Sequence, residues 1–137
     1  DEPERTIVGF SARDTRTVSL PFDVVFDTDR IGGPSAGLSF ALALIDQLTP
    51  GELIPAEGVA VTGTIAEDGS VGAIGALVQK AIAVERSGAR YFLVPTAQGE
   101  VDIAEARAAV GDDVEIIPVA SLEEALEALA DRGGDPL

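Results

Sequence analysis

Short β-rich runs alternate along this chain with longer Ala/Leu-rich runs, and glycine or proline closes most of them. That alternation constrains the fold more than any other feature, because period-2 and period-3.6 segments taken in turn must pack as sheet against helix. Val18 to Phe26 reads as a strand, with Pro21 placing it at an edge or a bulge. From Ser35 to about Leu48 the length and Leu/Ala content of the apolar run favour a buried helix, stopped by Pro50-Gly51. Gly58 to Ile65 predicts a second strand, and Glu67-Asp68-Gly69-Ser70 a hairpin turn returning through Val71. A helix over Ala76 to Ser87 ends at Gly88 as its C-cap. A strand at Tyr91 to Val94, a helix at Val101 to Val110 and a strand at Val114 to Val119 follow. Ser121 and Glu124 then form a capping box for a last helix, Leu122 to Ala130.

These elements describe one domain of mixed α/β (α+β) class, with helices packed on a mostly β layer. Residues 1–17 read as a lead-in, 18–131 as the folded domain and 132–137 as a frayed tail. Twenty-four acidic against nine basic side chains leave a net charge of −15, which argues against nucleic acid and anionic membrane surfaces as partners. Without cysteine there is no disulfide. No apolar run is long enough to span a bilayer, and Asp1-Glu2-Pro3-Glu4-Arg5 does not resemble a signal peptide. The chain does not start with Met, and it is expected to be a piece of something longer.

The residue inventory narrows the chemistry. There is no histidine, no cysteine and a single lysine, Lys80. Ser-His-Asp and Cys-His arrangements and a His-bearing zinc site are therefore excluded. Arginine stays protonated at any workable pH, so Lys80 alone can activate a hydroxyl as a side-chain amine. Such a base must be neutral when it acts, whereas a free lysine titrates at about 10.4. The aliphatic neighbours Leu77, Val78, Ala81 and Ile82 and a helix N-terminus favour the neutral form, and the acidic net charge opposes it. The candidate nucleophile is Ser35 in Gly32-Gly33-Pro34-Ser35-Ala36-Gly37. There a hydroxyl would sit among the unpaired amides that open a helix, which can also hold an oxyanion. The same turn is equally a good helix start with no chemistry, and a lysine on a helix is ordinarily a solvated charge.

Three blocks in order carry a family resemblance: Gly33-Pro34-Ser35-Ala36-Gly37, Val61-Thr62-Gly63, and Val71-Gly72-Ala73-Ile74-Gly75-Ala76-Leu77-Val78-Gln79-Lys80. Together with Ala81 to Ala89 and Phe92-Leu93-Val94-Pro95, they resemble the proteolytic domain of Lon-family peptidases over most of the chain. The resemblance implies a fold like the second domain of a small-subunit ribosomal protein, with helices on mixed sheets. It implies a serine endopeptidase that hydrolyses protein or peptide substrates through an acyl-enzyme on Ser35, with Lys80 as general base, Thr62 orienting the lysine, and no cofactor or metal. Gly32, Gly33, Pro34 and Ala36 are the expected oxyanion and substrate-binding segment.

Two departures point to a subgroup. ATP-dependent members usually carry an acidic residue where this chain has Gly32, and no G-x-x-x-x-G-K-[ST] stretch occurs. The turn and the segment Ala120 to Leu126 look most like ATP-independent members in which this domain follows a PDZ domain and a membrane anchor. By that resemblance the full-length protein carries a PDZ-like domain, faces away from the cytoplasm and forms a homo-oligomer. A catalytically silent Lon-like scaffold, or a module that only holds a ring together, stays open beside the enzyme.

Overall fold

The computed structural model describes residue 19, residues 21–25 and residues 33–137. A 3₁₀ turn, Pro34–Ala36, leads directly into α1, Gly37–Leu48. Strand β1 (Val59–Val61) follows, then a hairpin of β2 (Thr64–Ile65) and β3 (Val71–Gly72), then α2 (Leu77–Ser87). The rest is β4 (Tyr91–Pro95), α3 (Glu100–Val110), β5 (Glu115–Val119) and α4 (Leu122–Ala130). The helices and the mixed parallel and antiparallel pairing give the expected α+β class.

Strands β1, β4 and β5 form a parallel sheet with β4 in the middle; Ala60 pairs with Phe92, and Phe92 with Ile116. A parallel strand covered on both faces needs apolar residues at successive positions, which is why Phe92-Leu93-Val94 lacks alternation. Phe92, Val94 and Ile116 join one core with Leu77, Ala81 and Val84 of α2 and Ile103, Ala106 and Val110 of α3. Leu93, Ile117 and Val119 point to the other face and join Leu38 and Leu42 of α1 and Ala125, Ala128 and Leu129 of α4. Each helix thus spends its i, i+3/i+4, i+7 stripe on one side of the sheet. Gly88 stops α2 with φ 80°, as its C-cap signature requires. Ser121 Oγ accepts the Glu124 amide at 3.1 Å, while the Glu124 carboxylate returns to the amide of Ala120 at 2.7 Å.

Three expectations need correcting. The strand expected over Gly58 to Ile65 is broken at Thr62-Gly63: β1 pairs with β4, whereas β2 turns away to pair with β3. The break exists because the two residues bind the Ser35 turn, described below. The tail is not frayed at its start. Gly134 donates to Leu129 O at 3.0 Å, Asp135 donates to Glu52 O at 2.8 Å, and the Asp135 carboxylate accepts the Glu52 amide at 3.0 Å. Finally, the described parts of the first expected strand, residue 19 and residues 21–25, are irregular backbone with a bend at 21–22. Proline at its start offers no amide to a ladder; the remainder of that segment lies outside the described residues.

Candidate active site

The Ser35 turn is lashed to the β1–β2 break. Gly63 N–H donates to Ser35 O at 2.8 Å, and the Thr62 hydroxyl donates to the same oxygen at 3.2 Å. In return Leu38 N–H donates to Gly63 O at 3.1 Å, and Ser39 Oγ donates to Val61 O at 2.8 Å. Thr62 itself continues the pairing with β4 by donating its amide to Leu93 O at 3.0 Å. Gly37 permits this close docking: a Cβ there would stand 3.0 Å from Ile65 Cγ2 and 3.2 Å from the Ile65 amide nitrogen. Gly33 enters the turn at φ 81°, the left-handed side that favours glycine, and Pro34 follows at the first helical position.

Lys80 arrives from the other side of the sheet. It stands one turn into α2, its amide donating to Ala76 O at 3.1 Å. Its Nζ donates to Ser35 Oγ at 3.3 Å across 45 residues of sequence. Both residues are half-buried. They border a cleft of about 420 Å³ whose apolar wall is Ala36, Ala60, Val61, Ala83, Val84 and Phe92. A larger groove of about 620 Å³, between the hairpin tip and α4, contains neither residue. When the amine is neutral, the same contact runs in reverse: serine donates and nitrogen accepts, the first step in making the hydroxyl a nucleophile.

Thr62, 4 % exposed, is the one buried polar or charged side chain among the described residues. Among those residues its hydroxyl bonds Ser35 O, not the Lys80 amine it was expected to orient. It steadies the Ser35 backbone, and the lysine is placed by its helix. Pro34 and Ala36 flank Ser35 in the 3₁₀ turn, Gly33 immediately precedes it, and Gly32 lies outside the described residues. Ser39 was not singled out from the sequence, and Gly63 was read only as part of the block Val61-Thr62-Gly63. Ser39 lies four residues after Ser35, on the same face of the helical segment, which is the signal that would have drawn attention to it. Among the described residues no group of three or more Asp or Glu side chains is arranged to hold a metal ion.

The chain is similar to proteins of one family. Residues 29–131 match the family model of the Lon protease (S16) C-terminal proteolytic domain. The Lon protease of Xanthomonas oryzae pv. oryzae is 38% identical over 101 residues, which are 73% of this chain and 11% of that protein. The Lon protease of Vibrio parahaemolyticus is 39% identical over 100 residues, 73% of this chain and 12% of its own length. The peroxisomal Lon protease homolog 2 of Bos taurus is 37% identical over 101 residues, 74% of this chain and 12% of its own. The chain thus spans roughly an eighth of the relatives it matches. With the family model covering most of its length, the chain belongs to the Lon protease (S16) C-terminal proteolytic domain family.

Proposed function

We propose that this domain is a serine endopeptidase that cuts protein substrates by a Ser35–Lys80 dyad. The observation that carries the reading is the 3.3 Å contact between the chain's single lysine and a serine at the start of a helix, inside an open cleft. Ser35 Oγ attacks the scissile carbonyl carbon while Lys80 Nζ takes its proton. The tetrahedral oxyanion is held by backbone amides of the segment Gly33 to Ala36, of which Pro34 contributes none. As the C–N bond breaks, Lys80 returns the proton to the leaving amine, and water then releases the acyl group from Ser35 with the lysine again as base.

Gly32 in place of an acidic residue supports ATP independence. Resemblance of the turn and of Ala120 to Leu126 supports placement beside a PDZ-like domain in a membrane-anchored homo-oligomer. Among the described residues no helix is long and apolar enough to cross a membrane. The assignment is tested by incubating an unfolded, casein-like protein at alkaline pH without ATP, with Ser35→Ala and Lys80→Arg alongside, and reading products by mass spectrometry. Cleavage by the wild type and silence in both variants is the expected result. Equal cleavage by all three would sink the dyad. Silence in all three, repeated with the complete protein, would favour the scaffold.

A further inference from the structure

Lys80 reaches its place through an unusual entry into α2. Ala76, the residue before the helix, has φ 58° and ψ 46° and is the one non-glycine residue with positive φ among those described. A Cβ disfavours this left-handed region, and a residue stays there only where its surroundings hold it. No side chain caps the helix at this end. Two residues upstream, however, the Ile74 amide donates to Gln98 Oε1 at 2.6 Å. Gln98 ends the short 3₁₀ turn Thr96–Gln98 after β4. Its Nε2 reaches Asp102 Oδ2, in the first turn of α3, at 3.5 Å, which fixes the end of the carboxamide that faces Ile74. Because α3 packs against α2 through Leu77, Ala81, Ile103 and Ala106, the loop and the helix it enters are referenced to one element.

We propose that Gln98 is a positioning residue for Lys80. By holding the Ile74 amide it keeps Ala76 left-handed, and so fixes the rotational phase at which α2 begins. Successive residues lie about 100° apart around a helix, so relaxation of Ala76 into the right-handed region re-aims the chain entering the first turn, from which Lys80 projects. A Cβ at Gly75 would meet nothing within 4 Å, leaving the loop room for that relaxation. The proposal rests on Lys80 being the base, and it has a readout that does not.

Gln98→Met keeps the length and removes the acceptor. It is expected to lower kcat on a peptide substrate at least tenfold with KM held within twofold. Because Lys80 is the chain's one lysine, lysine labelled with nitrogen-15 at Nζ alone gives a single side-chain NMR signal, which shifts in the variant. Glycine occupies the left-handed region freely, so Ala76→Gly added to Gln98→Met is expected to restore most of the rate and return the lysine signal. A general packing defect would not be repaired in this way. The proposal is overturned if Gln98→Met leaves the lysine signal unmoved, or if Ala76→Gly fails to return it. Should Gln98→Met not fold, Gln98→Asn, which withdraws the amide by one methylene, is read by the same criteria. A wild type without peptidase activity, as the complete protein too, would favour the scaffold over the dyad and leave the lysine signal to decide this one.

Discussion

Thr62→Val separates the two tasks that a hydroxyl at this position can perform. Valine keeps the branched shape in a site that is 4 % exposed and removes only the donor to Ser35 O. That oxygen keeps its 2.8 Å bond from Gly63 N–H, so the full penalty of an orphaned buried acceptor does not arise. What remains is the loss of one neutral hydrogen bond, about 1 kcal/mol. Burying a methyl in place of a hydroxyl offsets part of this. The need for a few tenths of an ångström more room against a carbonyl oxygen 3.2 Å away works in the other direction. The expected destabilisation is about 0.5–1.5 kcal/mol, or a Tm lowered by roughly 2–6 °C. With Ser35 still tethered once, kcat should fall by no more than about tenfold, equivalent to about 1.4 kcal/mol. Urea unfolding and peptide hydrolysis measure the two effects side by side, with Thr62→Ser as the control that retains the hydroxyl. If the hydroxyl instead aims the lysine, stability stays unchanged while kcat drops by about a hundredfold or more. That pair of results would refute the reasoning from the observed bond.

Gly37→Ala forces a methyl to within 3.0 Å of Ile65 Cγ2, which should cost about 1–3 kcal/mol by overpacking. It should also slow acylation of Ser35 two residues away; wild-type values of both unfolding midpoint and acylation rate would contradict the docking described here. Arg132→Ala removes a guanidinium that donates to Glu115 Oε1 at 3.1 Å and Ala128 O at 2.9 Å and lies 5.7 Å above the Tyr91 ring. A loss of about 1–2 kcal/mol in urea unfolding is expected, and Arg132→Lys should recover only part of it. At the hairpin tip the Ser70 hydroxyl and amide both donate to Asp68 Oδ1, at 2.7 and 3.0 Å, and hold that carboxyl below its ordinary value. A folded value lower than the unfolded one adds stability that is present above the ordinary carboxylate pKa and lost as pH falls through the depressed value. Ser70→Ala should therefore flatten this limb of the Tm profile in acid, and an unchanged profile would show that the turn does not feel the bond.

Most helices and the inner strands were legible because their signals are local. Gly88 after Ser87 and the Ser121/Glu124 pair mark helix ends with residues that satisfy backbone groups a few positions away. That Lys80 is the one side-chain amine available to any serine was legible by elimination, and the structure places it 3.3 Å from Ser35 Oγ. What escaped depends on partners far along the chain. The run from Gly58 to Ile65 has strand composition throughout, and it breaks at Thr62-Gly63 because the Ser35 turn, 27 residues before Thr62, takes the Gly63 amide and the Thr62 hydroxyl. The start of the tail is pinned through Glu52 and Asp135, which are 83 residues apart. Ala76 gives no sign of its left-handed backbone, since alanine before Leu77 reads as one more helical residue. The partner of Thr62 was hidden for a similar reason: the resemblance brought it to the site without showing that its hydroxyl would meet Ser35 O.

The serine and the lysine of the proposed dyad belong to different halves of the interior. Ser35 is fixed by α1, whose Leu38 and Leu42 lie in the core on one face of the sheet, and Lys80 by α2, whose Ala81 and Val84 lie in the core on the other. Their 3.3 Å gap is therefore a gauge of how the two helix layers align around the sheet. A tilt of about 5° acting over a layer spacing of about 10 Å moves the amine by about 1 Å, a misplacement that costs about a hundredfold in rate. A neighbour that shears one layer against the other would thus slow the proposed chemistry without touching either side chain, and releasing the shear would restore it.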